Sequence, residues 1–306
     1  MESLVNFALK EKYFKVKKLR SRLEDMNNLI GWDKFIELFP EKESLRGRPN
    51  YEKILMLKLM FLQGWYGLSD EELEFQVNDR LSFQQFLGFP NFIPDYSTIW
   101  RFREELAEGN ITDKIWDELQ RQIKEKNITI EKGVIQDATF IVAEPGKTNS
   151  GMDNRGQTAK TSRNRDGSWT KKGKKSYFGY KAHTKMRRGS KIVETLAVTT
   201  AKVPDNAIDL ADPDDIVYRD KGYTGTLTRA KGDGTMLRGN LTPHEILRNK
   251  RIQSKRNQGE HPFATVKRAM HGGQTRLTTV YRVFVQQIFV FMAYNIYRLA
   301  TLTKIQ

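Results

Sequence analysis

Two periodicities divide the chain. Up to about residue 125, apolar positions recur at helical spacing; from residue 133 they alternate or run together as strands do. Residues 51–62, with Tyr51, Ile54, Leu55, Leu59, Phe61 and Leu62, are apolar nearly all round, which predicts a buried helix ended by Gly64 and Gly67. Ser69 opens a capping box with Glu72 three residues on, and Leu73 and Val77 give that helix an apolar face. After the turn-rich Gly88-Phe89-Pro90 and Pro94, Asp95 or Ser97 caps a helix bearing Ile99, Phe102 and Leu106. Ile115, Leu119 and Ile123 mark another. Two short capped helices joined by a loop permit a helix-turn-helix with Arg101 and Arg103 on its second helix; an ordinary helical bundle fits equally well.

The second half reads as strands first. Residues 133–142 are β-rich, 146–175 are polar and read as a long loop, and 175–187 alternate, with Tyr177, Gly179, Lys181, His183 and Lys185 on one side. Residues 192–200 form a further strand, joined to the previous one by a hairpin at Arg188-Gly189-Ser190. An acidic stretch, 204–215, leads into a short apolar run ending at Asp220. Helical segments are expected over 244–250 and 261–271. The apolar segment 280–299 is interrupted by Arg282, Gln286, Gln287, Asn295 and Arg298, so it reads as a core-packed helix with no membrane span.

Composition narrows the class. At ~150 residues per domain, 306 residues make about two domains, here 1–126 and 127–306. The absence of cysteine excludes disulfides and thiolate chemistry, and the four histidines lack metal-binding spacing. Lys10, Glu11, Lys12 and Lys15 interrupt any signal peptide, which points to a cytoplasmic protein. Charge adds most. The chain is +15, yet residues 1–125 hold 19 Lys/Arg against 22 Asp/Glu, so the excess lies beyond them. Residues 144–191 carry 14 basic and 3 acidic residues, and 229–276 carry 11 and 3. A solubilising face has no reason to localise in this way; a polyanion-binding surface does. Lys171, Lys172, Lys174 and Lys175, in the basic loop 144–175, are expected on a phosphate backbone.

Asp137 and Asp220 each follow a short apolar strand, an arrangement that holds a carboxylate at a cleft while the strand stays buried. Two such groups on neighbouring strands can share a hard cation. Glu260 opens a helical stretch, and Lys267 lies seven residues on along the same face. Such a set suits phosphodiester cleavage, where metals activate the attacking oxygen and stabilise the leaving one. Asp205, Asp209, Asp212, Asp214 and Asp215 lack a calcium-loop pattern and read as a solvated loop, with Asp209 the best exception. Trp169 reads as a loop aromatic that could stack on a base. No phosphate-loop motif is present, so no nucleotide cofactor is expected.

Four segments carry a resemblance: Gly133-Val-Ile-Gln-Asp137-Ala-Thr139, Tyr177-Phe-Gly-Tyr-Lys-Ala-His183, Val217-Tyr-Arg-Asp220-Lys-Gly-Tyr223 and Arg256-Asn-Gln-Gly-Glu260 through Arg268. In this order they resemble the DDE transposases of insertion sequences, in the insertion-sequence-five group and its four-related cousins. Gly47-Arg-Pro49 through Arg103 is similar to that group's helical leader. The pattern departs at Gln253, where many four-related members carry tyrosine.

The resemblance implies a ribonuclease-H-like α/β core, a mixed sheet flanked by helices, behind an all-α N-terminal domain. It makes Asp137, Asp220 and Glu260 a catalytic triad binding two Mg²⁺ or Mn²⁺ ions. Arg256, Lys267 and Arg268, with Lys181 nearby, would meet DNA. The implied activity is end binding, strand cleavage and strand transfer on double-stranded DNA by a nucleoid-associated homodimer. A non-catalytic DNA-binding relative and a nuclease on the same fold are the alternatives. Pro262 fits only a helix's first turn, so that helix is expected to start near Gly259, with Arg256 before it.

Overall fold

The computed structural model describes residues 14, 22–40, 51–109, 111–127, 133–146 and 166–303. The Gly47-Arg-Pro49 turn and positions 147–165 of the basic loop lie outside them. The chain forms two compact units, 1–128 with 288–306, and 129–287. Residues 288–306, assigned by sequence to the second domain, thus group with the first unit.

The first unit is helical. Its described helices are α1 (Arg22–Asn27), α2 (Lys53–Tyr66), α3 (Asp70–Asp79), α4 (Leu81–Phe86), α5 (Tyr96–Glu108) and α6 (Ile111–Glu125). Helix α2 is buried over most of its surface, as its all-round apolar sequence requires. It runs through Gly64 and ends at Gly67, whose left-handed backbone caps it. Gly64 is needed for packing: a Cβ there would sit 2.7 Å from the Phe289 backbone. Ser69 accepts from the Glu72 amide at 3.1 Å. Asp95 is the α5 cap, accepting from the Thr98 amide at 2.7 Å. Arg103 does not face solvent; it is buried and makes a bidentate pair with Asp70, at 2.7 and 2.6 Å. Arg101 is exposed and bonds Ser97 within its own helix. Helix α4 stands between the two helices of the expected motif, which favours a bundle.

The second unit is built on a mixed seven-stranded sheet: β1 (Val134–Ala143), β2 (Ser168–Lys172), β3 (Lys175–Arg187), β4 (Val193–Thr200), β5 (Ile216–Arg219), β6 (Gly232–Thr235) and β7 (Gln274–Thr275). The order is β2-β3-β1-β5-β6, with β4 also on β3 and β7 on β1. Strands β2, β3, β4 and β1 pair antiparallel, whereas β5 and β7 pair parallel with β1, and β6 with β5. One sequence expectation changes here. Part of the expected 146–175 loop is the strand β2, hairpinned onto β3. Gly232 and Gly234 lie in β6. Helices α7 (Pro243–Arg256) and α8 (Glu260–Ala269) follow, joined by a single 3₁₀ turn at Asn257–Gly259.

The last helix, α9 (Val280–Thr303), is long and apolar enough by composition to cross a membrane, but most of its apolar stretch is buried inside the protein.

Candidate active site

Strand alternation sorts the chemistry of the sheet. On β1, Ile135, Asp137, Thr139 and Ile141 share one face, and Gln136, Ala138 and Phe140 share the other. Registry carries this across to β3: Asp137 stands opposite Thr184, while Gln136, Ala138 and Phe140 stand opposite Lys185, His183 and Lys181.

Asp137 has a side chain only 15% exposed. Its Oδ1 accepts from the Ala138 amide at 2.9 Å and its Oδ2 from Arg256 Nη2 at 2.8 Å. Burial raises its pKa above the usual carboxylate range; Arg256 opposes that and the nearby Asp220 charge adds to it. Asp220 follows the last residue of β5, the strand that pairs with β1 at Val134↔Val217 and Ile135↔Tyr218. Its Oδ1 accepts from the Gly222 amide at 2.7 Å, capping a turn over Lys221–Tyr223. The structure therefore brings these two aspartates near one another, Asp137 within β1 and Asp220 just past the end of the neighbouring parallel strand β5.

Two further groups gather there. A Cβ on Gly222 would lie 2.7 Å from Asp220 Oδ1 and 3.4 Å from Asp205 Oδ2, so Asp205 reaches the same turn. Tyr223 is buried, and its hydroxyl has no hydrogen-bond partner among the described residues. Burial and then the charges of Asp137, Asp205 and Asp220 push that phenol above its ordinary pKa. Sequence reasoning passed over both. Tyr223 stood in a quoted segment, but Asp205 was submerged in an acidic run.

Glu260 is exposed at the first position of α8. Gly259 before it is pressed against β1: a Cβ there would meet Ile135 Cγ2 at 2.7 Å and Asp137 Oδ2 at 3.9 Å. The backbone thus delivers Glu260 beside Asp137's strand. The described residues contain no ready cluster of three metal-ligating side chains. The pair nevertheless suits a cation. Asp137 is a buried carboxylate only partly neutralised, and an unsatisfied hydroxyl stands close by.

Several expectations for basic residues are revised. Lys181 is buried, not on a DNA-facing surface; its ammonium donates to Val203 O and Asp205 Oδ1, both at 2.8 Å. Lys185 is buried against Asp215 at 3.2 Å and also meets Asp212. Arg219 is fully buried, bonding Gln136 Oε1 at 2.8 and 3.0 Å and pairing with Asp209. The acidic stretch 205–215 is therefore no solvated loop; it neutralises three buried cations. Arg256 lies before the helix that carries Glu260, as expected; it ends α7 and grips Asp137.

Lys171, Lys172, Lys174, Lys175, Lys267 and Arg268 are exposed, and none makes an ion pair among the described residues. Trp169 is on strand β2, exposed and edge-on to Phe178 at 5.3 Å.

The Transposase DDE domain family matches residues 129–296, more than half of the chain. The chain belongs to the DDE transposases. The Transposase domain (DUF772) family matches residues 11–105, across the helical region of this transposase. No solved structure matches it. Its sheet, antiparallel through β1, β3 and β4 and parallel through β1, β5 and β6, is the ribonuclease-H-like core of the family. DDE transposases act on DNA and generally use divalent metal ions.

Proposed function

We propose that this transposase binds the inverted-repeat ends of an insertion sequence, cleaves a DNA strand there, and joins the freed 3′-hydroxyl to target DNA. The convergence of Asp137 and Asp220 from paired parallel strands carries this reading. The element is assigned to the insertion-sequence-five group on its four quoted segments, and the protein acts as a homodimer because two ends must be processed together.

Asp137, Asp220 and Glu260 would hold the metal, Mg²⁺ or Mn²⁺ in two positions. Bound there, divalent ions activate the attacking oxygen and stabilise the leaving one. The chain's own groups do the rest. Arg256 compensates Asp137 and keeps a buried Nε without a partner among the described residues, a donor left for a phosphate oxygen. Lys171, Lys172, Lys174, Lys175, Lys267 and Arg268 present unpaired charge to the backbone. Tyr223 keeps a proton at its hydroxyl beside three carboxylates, where it can donate.

End cleavage in Mg²⁺ tests the assignment. Asp137→Asn, Asp220→Asn and Glu260→Gln should each lower the rate by about 10³-fold or more while leaving duplex binding in place. Cutting at the wild-type rate by all three would sink the triad. Cutting without joining to a target plasmid would reduce the protein to a nuclease.

A further inference from the structure

Lys181 and Asp205 lie outside the triad, yet their contacts lead to it. Lys181 stands opposite Phe140 in registry, on the sheet face that Asp137 does not share. Its ammonium pins two points of one irregular segment, Val203 O and Asp205 Oδ1, on either side of Pro204. Taking a lysine out of water costs free energy, and an apolar residue of similar size often serves a core as well. Stability alone therefore does not account for the pair.

The other end of the segment shows what else it does. Asp205 opens a 3₁₀ turn, Asp205–Ala207, which lies against the Lys221–Tyr223 turn that Asp220 caps. Two contacts join the turns. Asn206 Nδ2 donates to Thr224 O at 3.2 Å, and Thr224 Oγ1 donates back to Lys221 O at 2.9 Å. Asp205 Oδ2, the oxygen that Lys181 does not hold, lies 3.4 Å from where a Cβ on Gly222 would stand. The same Cβ would be 2.7 Å from Asp220 Oδ1. Gly222 is thus the point at which the two turns meet the Asp220 carboxylate.

Asp220 needs such support. It follows a strand of only four residues and stands just past the last ladder pair, Arg219↔Thr235. The 3₁₀ turn after it has weaker hydrogen-bond geometry than an α-helix. A carboxylate that holds a cation must itself be held to within about 0.5 Å.

We propose that Lys181, Asp205 and Asn206 form a bracket that positions Asp220. Lys181 fixes the bracket to β3, and Asp205 and Asn206 fix it to the Asp220 turn. The three are positioning residues, acting through Asp220 from the face of the sheet opposite Asp137. The metal-binding role of Asp220, on which this rests, is the one proposed above.

Two readouts on the full chain test the bracket. Amide hydrogen exchange of the metal-free protein reads the turn at Gly222 and Tyr223, whose amides bond Asp220 Oδ1 and Asp220 O. Mn²⁺ titration followed by electron paramagnetic resonance reads the site. Asp205→Asn and Asn206→Ala should each speed exchange at Gly222 by about tenfold and leave the β3–β4 ladder amides as in wild type. Each should weaken Mn²⁺ binding by about tenfold or more. The double variant should lose little more than the worse single one, because the bracket fails as a unit. Asn206 is only partly buried, so Asn206→Ala does not put folding at stake. Asp214→Asn, which removes an exposed charge from the same stretch, should change neither readout. Duplex affinity in EDTA should stay within about twofold throughout, since no phosphate contact is touched.

Unchanged exchange at Gly222 in both variants overturns the bracket; if Mn²⁺ binding is nevertheless lost in Asp205→Asn, Asp205 is a ligand in its own right. Faster exchange with wild-type Mn²⁺ affinity overturns it too, as does an increase shared by the ladder amides, which would be global destabilisation. Mn²⁺ affinity indifferent to Asp220→Asn removes the metal-binding reading of Asp220 itself.

Discussion

Strand β3 carries lysines at both ends, and the two ends use them in opposite ways. At its start, Lys175 joins Lys171, Lys172 and Lys174 on a hairpin where all four are exposed and none has an ion-pair partner among the described residues. Further along, Lys181 and Lys185 are buried, and each meets a carboxylate of the 205–215 stretch. The same residue type therefore serves a polyanion at one end and the folded core at the other. Formal charge overstates the DNA-binding surface, because it counts cations already neutralised inside the protein. The 205–215 segment does much of that neutralising, with Arg219 added through Asp209.

The sharpest way to break this comparison is to remove a buried cation. Lys185→Met leaves Asp215, itself 6% exposed, without its main partner. Breaking one half of a buried pair costs about 3–5 kcal/mol, mostly as desolvation of the orphaned charge. Chemical denaturation should show that loss, and adding Asp215→Asn should recover much of it. Lys175→Met, at the exposed end, should change stability by about 0.5 kcal/mol or less. Equal losses at the two positions would abolish the distinction.

The two ends were not equally legible in the sequence. The alternation of Tyr177, Gly179, Lys181, His183 and Lys185 was visible, and so was the strand it implies. Which side faced water was not, because polar residues in alternation ordinarily mark the solvent face. The counter-charges sit some 20 to 30 residues away in an irregular stretch that has no periodicity to read. Asp137 and Asp220 were legible because each ends a short apolar run. Tyr223 and Asp205 became visible only through the turn at Gly222, a tertiary contact. Strand β2 was hidden by Lys and Gly content, since a two-stranded hairpin edge needs little apolar sequence.

The buried end also excludes one more positive charge. His183 lies on the same face as Lys181 and Lys185, fully buried, with one ring nitrogen 2.9 Å from Thr199 Oγ1. Burial, with Lys181 assisting against Asp205, brings its pKa down from 6.5 to about 4. In the unfolded chain it titrates near 6.5. As pH falls through 6.5 the unfolded state takes up a proton that the folded state refuses, so stability declines down to about pH 4. Between pH 7.5 and pH 5 the loss is about 2 kcal/mol. Asp137, with its raised pKa, works in the opposite sense by protonating first in the folded state. The measurement is therefore a difference: denaturation midpoints at both pH values for wild type and His183→Asn. The variant should lack most of the acid-side decline, and a parallel decline in both proteins would show that His183 is not its source.

The smallest effect belongs to the exposed end, and it is graded. Each of Lys171, Lys172, Lys174 and Lys175 that neutralises a phosphate releases about 0.9 counterion, and that number is the slope of log affinity against log salt. Replacing all four by Gln should flatten the slope by as much as about 3.6, and replacing one by about 0.9. Stability should barely move, since none of the four is ion-paired among the described residues. End cleavage at saturating protein should persist, because the carboxylates are untouched. Lys181→Met marks the boundary between the two ends. Its ammonium bonds Asp205 and Val203 O inside the fold, so its loss should lower stability and leave the salt slope unchanged. A slope that fell by about 0.9 in Lys181→Met would mean that this lysine leaves its buried pair to meet DNA.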